Sequence, residues 1–72
     1  MIPTDIDGKQ YTNSQITHII DEHIHNEKYR MILKLRYIDG LTYEQTAEQV
    51  DMSVQHVKTI VKRNKKELFN HL

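Results

Sequence analysis

Residues 42–60, TYEQTAEQVDMSVQHVKTI, decide the fold. Thr42 followed three residues later by Gln45 spells a capping box, in which the two side chains satisfy backbone N–H groups that a helix start leaves unpaired. A short helix is therefore predicted from Thr42 through about Val50, with Ala47 and Val50 turned inward. Asp51-Met52 breaks the pattern, and Ser53 can cap a further helix that runs to the end of the sequence. Along that helix Val54, Val57, Ile60, Val61 and Leu68 fall within one arc of about 120°. Two helices joined by three or four residues, with a small residue where they cross, make a helix-turn-helix. Ala47 supplies the small residue, and Val50, Met52, Val57 and Ile60 supply a core between the two helices.

The opposite face of the last helix carries Gln55, Thr59, Lys62 and Lys66, flanked by His56, Lys58 and Arg63, with no carboxylate among them. Such a face suits a polyanion, because each cation that meets a phosphate releases condensed counterions. Residues near the start of a recognition helix reach base edges in the major groove, and later ones meet the backbone. Gln55 can pair with adenine N6 and N7, Lys58 can donate to guanine O6 and N7, and the Thr59 methyl can meet a thymine methyl. Lys62, Arg63 and Lys66 are placed for phosphates, as are the free amides and hydroxyls at the caps Thr42 and Ser53 and the hydroxyl of Tyr43. The bland alternative is a solvated lysine-rich face opposing the helix dipole.

Outward from this pair the pattern is also helical. A helix is predicted from residue 13 or 14 to about 24, capped by Asn13 or Ser14, with Ile16, Ile19, Ile20 and Ile24 on one face. His23 lies on the same arc and reads as a histidine at the core boundary. Asn26 can cap another helix from 27 to about 38, ended by Asp39-Gly40 with Gly40 in the left-handed conformation. Tyr29, Leu33 and Tyr37 fall on one side of it and Met31, Leu35 and Ile38 on the other, so it is expected to be central, with neighbours on both faces. Residues 1–12 hold the only proline and the Asp7-Gly8 turn signal, and read as a flexible N-terminal arm. The resulting division is an arm at 1–12 and a helical domain at 13–72, an all-α fold of four helices.

Composition narrows the function. The chain has 72 residues, 38% of them hydrophobic, no cysteine and a formal charge of zero, which allows one small core and no disulfide. Five aromatics and two glycines leave little material for a walled catalytic cleft or a phosphate loop, which argues against an enzyme. The neutral total hides a polarity: residues 1–52 carry nine acids against five bases, and residues 53–72 carry five bases against one acid, Glu67. No apolar run approaches the roughly 20 residues of a membrane span, and no secretory leader is present, so a cytoplasmic protein is expected.

Leu35-Arg36-Tyr37, Gly40-Leu41-Thr42, Glu44, Ala47-Glu48, Asp51-Met52-Ser53 and Val57 together resemble region 4 of the bacterial sigma-70 family, and more loosely the helix-turn-helix output domains of response regulators. The resemblance runs from about residue 28 to 68. It implies a helical domain that reads the −35 promoter element through its last helix and touches RNA polymerase, with DNA-facing roles for Gln55, His56, Lys58, Thr59 and Arg63. The residues after the cap, Val54, Gln55 and His56, depart from the arginine or glutamate common in the family, and Thr46 replaces a usual aliphatic core residue. No other sigma region is present, which suggests a stand-alone transcriptional regulator of the size that phages and mobile elements encode.

Three rival readings have residues of their own. Phe69, projecting away from the arc of Leu68, favours an interaction module that keeps the fold and binds RNA polymerase or a sigma factor. His18, Glu22 and His25 share an outward face but lack the spacing of a metal site, and Asp5, Asp7 and Gly8 lack the twelfth-position acid of a calcium loop, so no cofactor is expected. Val54, Val57, Val61, Asn64 and Leu68 follow a 3,4,3,4 spacing, which leaves residues 64–72 open as a homodimer contact beside their role in the core.

Overall fold

Four local caps set where the helices begin. In the computed structural model, which describes residues 4–6 and 9–70 and the side chains of 11–68 and 70, each helix starts at a residue whose side-chain oxygen accepts a backbone N–H of the first turn. Thr12 caps α1 (Asn13–His23), Asn26 caps α2 (Glu27–Tyr37), Thr42 caps α3 (Tyr43–Val50), and Ser53 caps α4 (Val54–Asn70). Three of these caps match the sequence reading. The first does not: α1 is capped by Thr12 rather than by Asn13 or Ser14, because Thr12 and Gln15 form a reciprocal box with bonds of 3.2 and 2.9 Å.

The stretch read as an arm contains two three-residue strands, β1 (Thr4–Ile6) and β2 (Lys9–Tyr11), paired antiparallel with Thr4 opposite Tyr11. The turn signal at Asp7-Gly8, and with it the calcium pattern, lies outside the described residues. Tyr11 packs half-buried against the helical core and so ties the second strand to it.

Burial follows the predicted arcs with one shift. Ile16, Ile20 and Ile24 of the first helical region, Ala47 and Val50 of α3, and Val57, Ile60, Val61 and Leu68 of α4 form one core with Ile32 and Leu33 of α2. At about 25 cal/mol per Å² of apolar area removed from water, a shared core of eleven such residues is the main stabilising term of a chain this small. α2 is central as expected, and touches α1, α3 and α4. Its buried arc, however, is centred on Ile32 and Leu33, while Met31 is 53% exposed and Leu35 and Ile38 are half-buried. α1, α3 and α4 meet α2 mainly on the Ile32–Leu33 side, while Leu35 and Ile38 pack partly buried against the same core and Met31 faces solvent.

Thr46 is 0% exposed and its hydroxyl has no hydrogen-bond partner, the consequence of a polar residue at an aliphatic core position. Gly40 takes φ +72° between α2 and α3, as its sequence position predicts, and the Leu41 N–H then donates to the Leu35 carbonyl at 3.1 Å. Asp51 closes α3 in the same left-handed region with φ +54°, and the Met52 N–H donates to the Ala47 carbonyl at 3.0 Å. This reversal sets α4 against α3.

The acidic N-terminal half is cross-linked on its surface. The Lys34 ammonium lies 2.8 Å from an Asp21 carboxylate oxygen, and its hydrogen bond holds the Asp21 carboxyl below the ordinary carboxylate range. His18 and His23 lie 3.2 and 3.9 Å from Glu22, and His25 is exposed beyond them. His23 is half-buried, at the core boundary where its arc placed it. No helix among the described residues is long and apolar enough to cross a membrane.

Candidate nucleic-acid interface

α4 owes its two faces to its sequence period. Val57, Ile60, Val61 and Leu68 are buried, and Gln55, His56, Lys62, Arg63 and Lys66 on the remaining circumference are exposed. Among the described residues none of the cations Lys58, Lys62, Arg63 and Lys66 forms an ion pair with a carboxylate, whereas Arg30 and Lys34 of the acidic half both do. The field of α4 is therefore not neutralised locally, which is the condition for attracting an anion from solution.

The first turns of the helix carry the groups with hydrogen-bonding chemistry. The Thr59 hydroxyl donates to the Gln55 carbonyl at 3.0 Å, so this half-buried side chain has its methyl left to offer outward. Gln55 is exposed with its side-chain Oε1 and Nε2 unengaged among the described residues, and His56 is exposed beside it. Ser53 Oγ accepts the His56 N–H at 3.1 Å. At α3, Thr42 Oγ1 accepts the Gln45 N–H at 3.1 Å while Gln45 Oε1 accepts the Thr42 N–H at 2.9 Å. The two cap oxygens, which the sequence reading offered to phosphates, are thus engaged as acceptors. Their hydroxyl protons remain, together with the first-turn amides of Tyr43, Glu44, Val54 and Gln55, which have no acceptor one turn earlier.

Lys58 and Tyr43 are brought together across α3 and α4. The Lys58 ammonium lies over the Tyr43 ring at 5.7 Å from its centroid, and Arg36 of α2 lies over the same ring at 4.6 Å. Arg36 also donates from Nη1 to the Leu41 carbonyl at 3.1 Å, across the turn that leads into α3. Sequence reasoning placed Tyr43 and Lys58 at the site and quoted Arg36 only within a motif. The available signal was a cation at the centre of the apolar arc of α2, between Ile32 and Leu33.

Towards its C-terminus α4 turns inward again. Asn64 is half-buried and its side-chain amide donates to the Ile60 carbonyl at 2.8 Å, while Val57, Val61 and Leu68 of the same seam lie in the protein's own core. The Phe69 side chain and residues 71–72, invoked for a protein partner or a dimer, lie outside the described residues. 

Residues 26–68, more than half of the chain, match the family described as Sigma-70, region 4. Searches of curated proteins and of solved structures gave no match. The matched segment begins at the cap of α2 and ends at buried Leu68 of α4, so it contains α2, α3 and the whole basic face. The family's domain is a DNA-binding helix-turn-helix, the arrangement that α3, its turn and α4 form here, and the chain belongs to the sigma-70 region 4 family.

Proposed function

We propose that the protein is a sequence-specific transcriptional regulator that lays α4 in the major groove of double-stranded DNA. In this reading Gln55, Lys58 and Thr59, with His56 beside them, meet base edges, and Lys62, Arg63 and Lys66 meet phosphates together with Thr42, Tyr43 and Ser53 at the helix starts. The observation that carries it is the exposed, carboxylate-free face of α4, whose opposite arc is locked into the core. Binding requires no catalytic group, and the first turns of α3 and α4 supply free backbone donors for phosphates.

Selection of duplexes from a random pool, followed by the mass of the complex, tests the reading. The expected result is one enriched element, short if one chain binds and palindromic with half-sites about 10 base pairs apart if two chains bind. A pool that shows no enrichment contradicts it. Such a result favours the second reading, a module that docks on RNA polymerase or a sigma factor, for which exposed Met31 in a groove with Leu35, Glu27, Arg30, Lys34 and Asp39 provides an apolar floor and a charged rim. That reading predicts retention by immobilised polymerase and its loss in Met31→Glu.

A further inference from the structure

Arg36 stands apart from the cations of α4. It belongs to the buried arc of α2, its Nε is enclosed without a hydrogen-bond partner, and its guanidinium spends one N–H on the Leu41 carbonyl at 3.1 Å. The remainder of the planar group lies over the Tyr43 ring at 4.6 Å. Enclosing a guanidinium nitrogen without an acceptor is unfavourable, so the position is held by what the group stacks on and bridges rather than by a saturated hydrogen-bond set. The same ring carries Lys58 at 5.7 Å on its approach from α4. Three helices thus meet on one aromatic side chain: α2 through Arg36, α3 through Tyr43 itself, and α4 through Lys58.

The two cations differ in what they can do there. Arginine is planar, weakly hydrated and suited to stacking, whereas lysine is a compact, strongly hydrated charge on a flexible stem. Arg36, tied at one end to the turn, fixes the ring. The ring then supplies a face that attracts the Lys58 ammonium and restricts a stem that would otherwise sample many rotamers. Lys58 lies in the first half of α4, where side chains reach base edges, and a flexible lysine discriminates bases only as well as its ammonium is placed.

We infer that Arg36 is a positioning residue for base readout, acting through the Tyr43 ring to hold the Lys58 ammonium at a defined point on the α4 surface. The inference rests on the DNA reading above. It differs from a direct phosphate role for Arg36 in what it predicts: sequence preference changes and the ionic component of binding does not.

The experiment compares affinities for the duplex selected from the random pool and for a scrambled duplex of equal length, using the full chain and variants whose folding is checked by circular dichroism. Arg36→Lys keeps the charge and loses the plane. It is expected to lower the selected-to-scrambled affinity ratio by about fivefold, with the slope of log affinity against log salt unchanged. Tyr43→Leu is expected to lower the ratio similarly, and it carries the test if Arg36→Lys does not fold. In a Lys58→Ala background neither change should lower the ratio further, because the group being positioned is gone. A salt slope reduced by about one in Arg36→Gln, which removes the charge as well as the stacking plane, shows a direct phosphate contact and overturns the inference. So do effects that add fully to that of Lys58→Ala. A wild-type ratio near one contradicts the DNA reading itself and removes the inference with it, whereas a large wild-type ratio that Arg36→Lys leaves intact overturns the inference alone.

Discussion

Thr46 and Asp51 are residues whose local chemistry conflicts with their place in the fold. Thr46 brings a hydroxyl into a site with 0% exposure and finds no acceptor for it, a cost of order 1–3 kcal/mol. Thr46→Val keeps the shape and removes the orphan, so it should stabilise the protein by about 1 kcal/mol, a rise of about 4–8 °C in Tm for a domain of this size. A lower Tm on thermal unfolding would mean that the hydroxyl is satisfied in solution. Asp51 occupies the left-handed region at φ +54°, which costs an L-residue roughly 1–2 kcal/mol. Asp51→Gly should recover about 0.5–1 kcal/mol of this after glycine's larger chain entropy is subtracted, and Asp51→Val should lose stability, both measured by urea unfolding. The equal treatment of both by denaturant would rule out the strain. The Thr46 cost was visible in the sequence as a departure from an aliphatic position. The strain at Asp51 was visible only as a break in pattern, because Asp tolerates this conformation less freely than the Gly40 that makes the corresponding turn after α2.

Helix starts were legible where capping is local. Asn26, Thr42 and Ser53 act through residues within three positions of themselves, and their roles could be read directly. Thr12-x-x-Gln15 spells the same box as Thr42-x-x-Gln45, and the α1 cap was misplaced because Asn13 and Ser14, good caps themselves, stand immediately after it. The hairpin was not legible: strands of three residues carry too little alternation to register. The buried arc of α2 was only half legible. Periodicity reports which residues share a face, but the choice of Ile32 over Met31 depends on where α1, α3 and α4 lie. α1 and α2 are also joined by the exposed Asp21–Lys34 pair. Because Asp21 titrates lower in the folded chain than the about 3.9 of a free side chain, the unfolded state takes up its proton more readily. The contribution of this pair is therefore complete above about pH 4 and declines as pH falls through the depressed value. Stability measured against pH should show a descending acid limb that is shallower in Asp21→Asn and that flattens with added salt, as expected for a solvent-exposed pair. An identical limb in the variant would assign the acid sensitivity elsewhere.

At the scale of the molecule, the organising feature is the separation of charge along a chain of zero net charge. The acids gather in α1, α2 and α3, where Asp21, Glu22 and Glu27 pair with Lys34, His18 and Arg30 on the surface. Among the described residues Lys58, Lys62, Arg63 and Lys66 of α4 form no such ion pair, and the aliphatic arc of the same helix fastens it to the core. The candidate site was legible to this extent because a charge-asymmetric amphipathic helix writes both of its faces into the sequence. The Arg36–Tyr43–Lys58 meeting was not, since it joins residues from three helices that only the tertiary fold brings within reach. Neutral overall charge has a consequence of its own: long-range attraction to DNA is weak, and in the proposed reading association depends on the oriented face of α4. The most direct test is the salt dependence of binding to a selected duplex, compared between the wild type and Lys62→Ala, Arg63→Ala and Lys66→Ala. Log affinity should fall linearly with log salt, and each replacement of a phosphate-contacting cation should reduce the slope by about 0.9 while the folded fraction stays constant. Failure to bind any duplex at about 50 mM salt, or a slope that survives removal of all three cations, would contradict the claim that the basic face of α4 is what meets DNA.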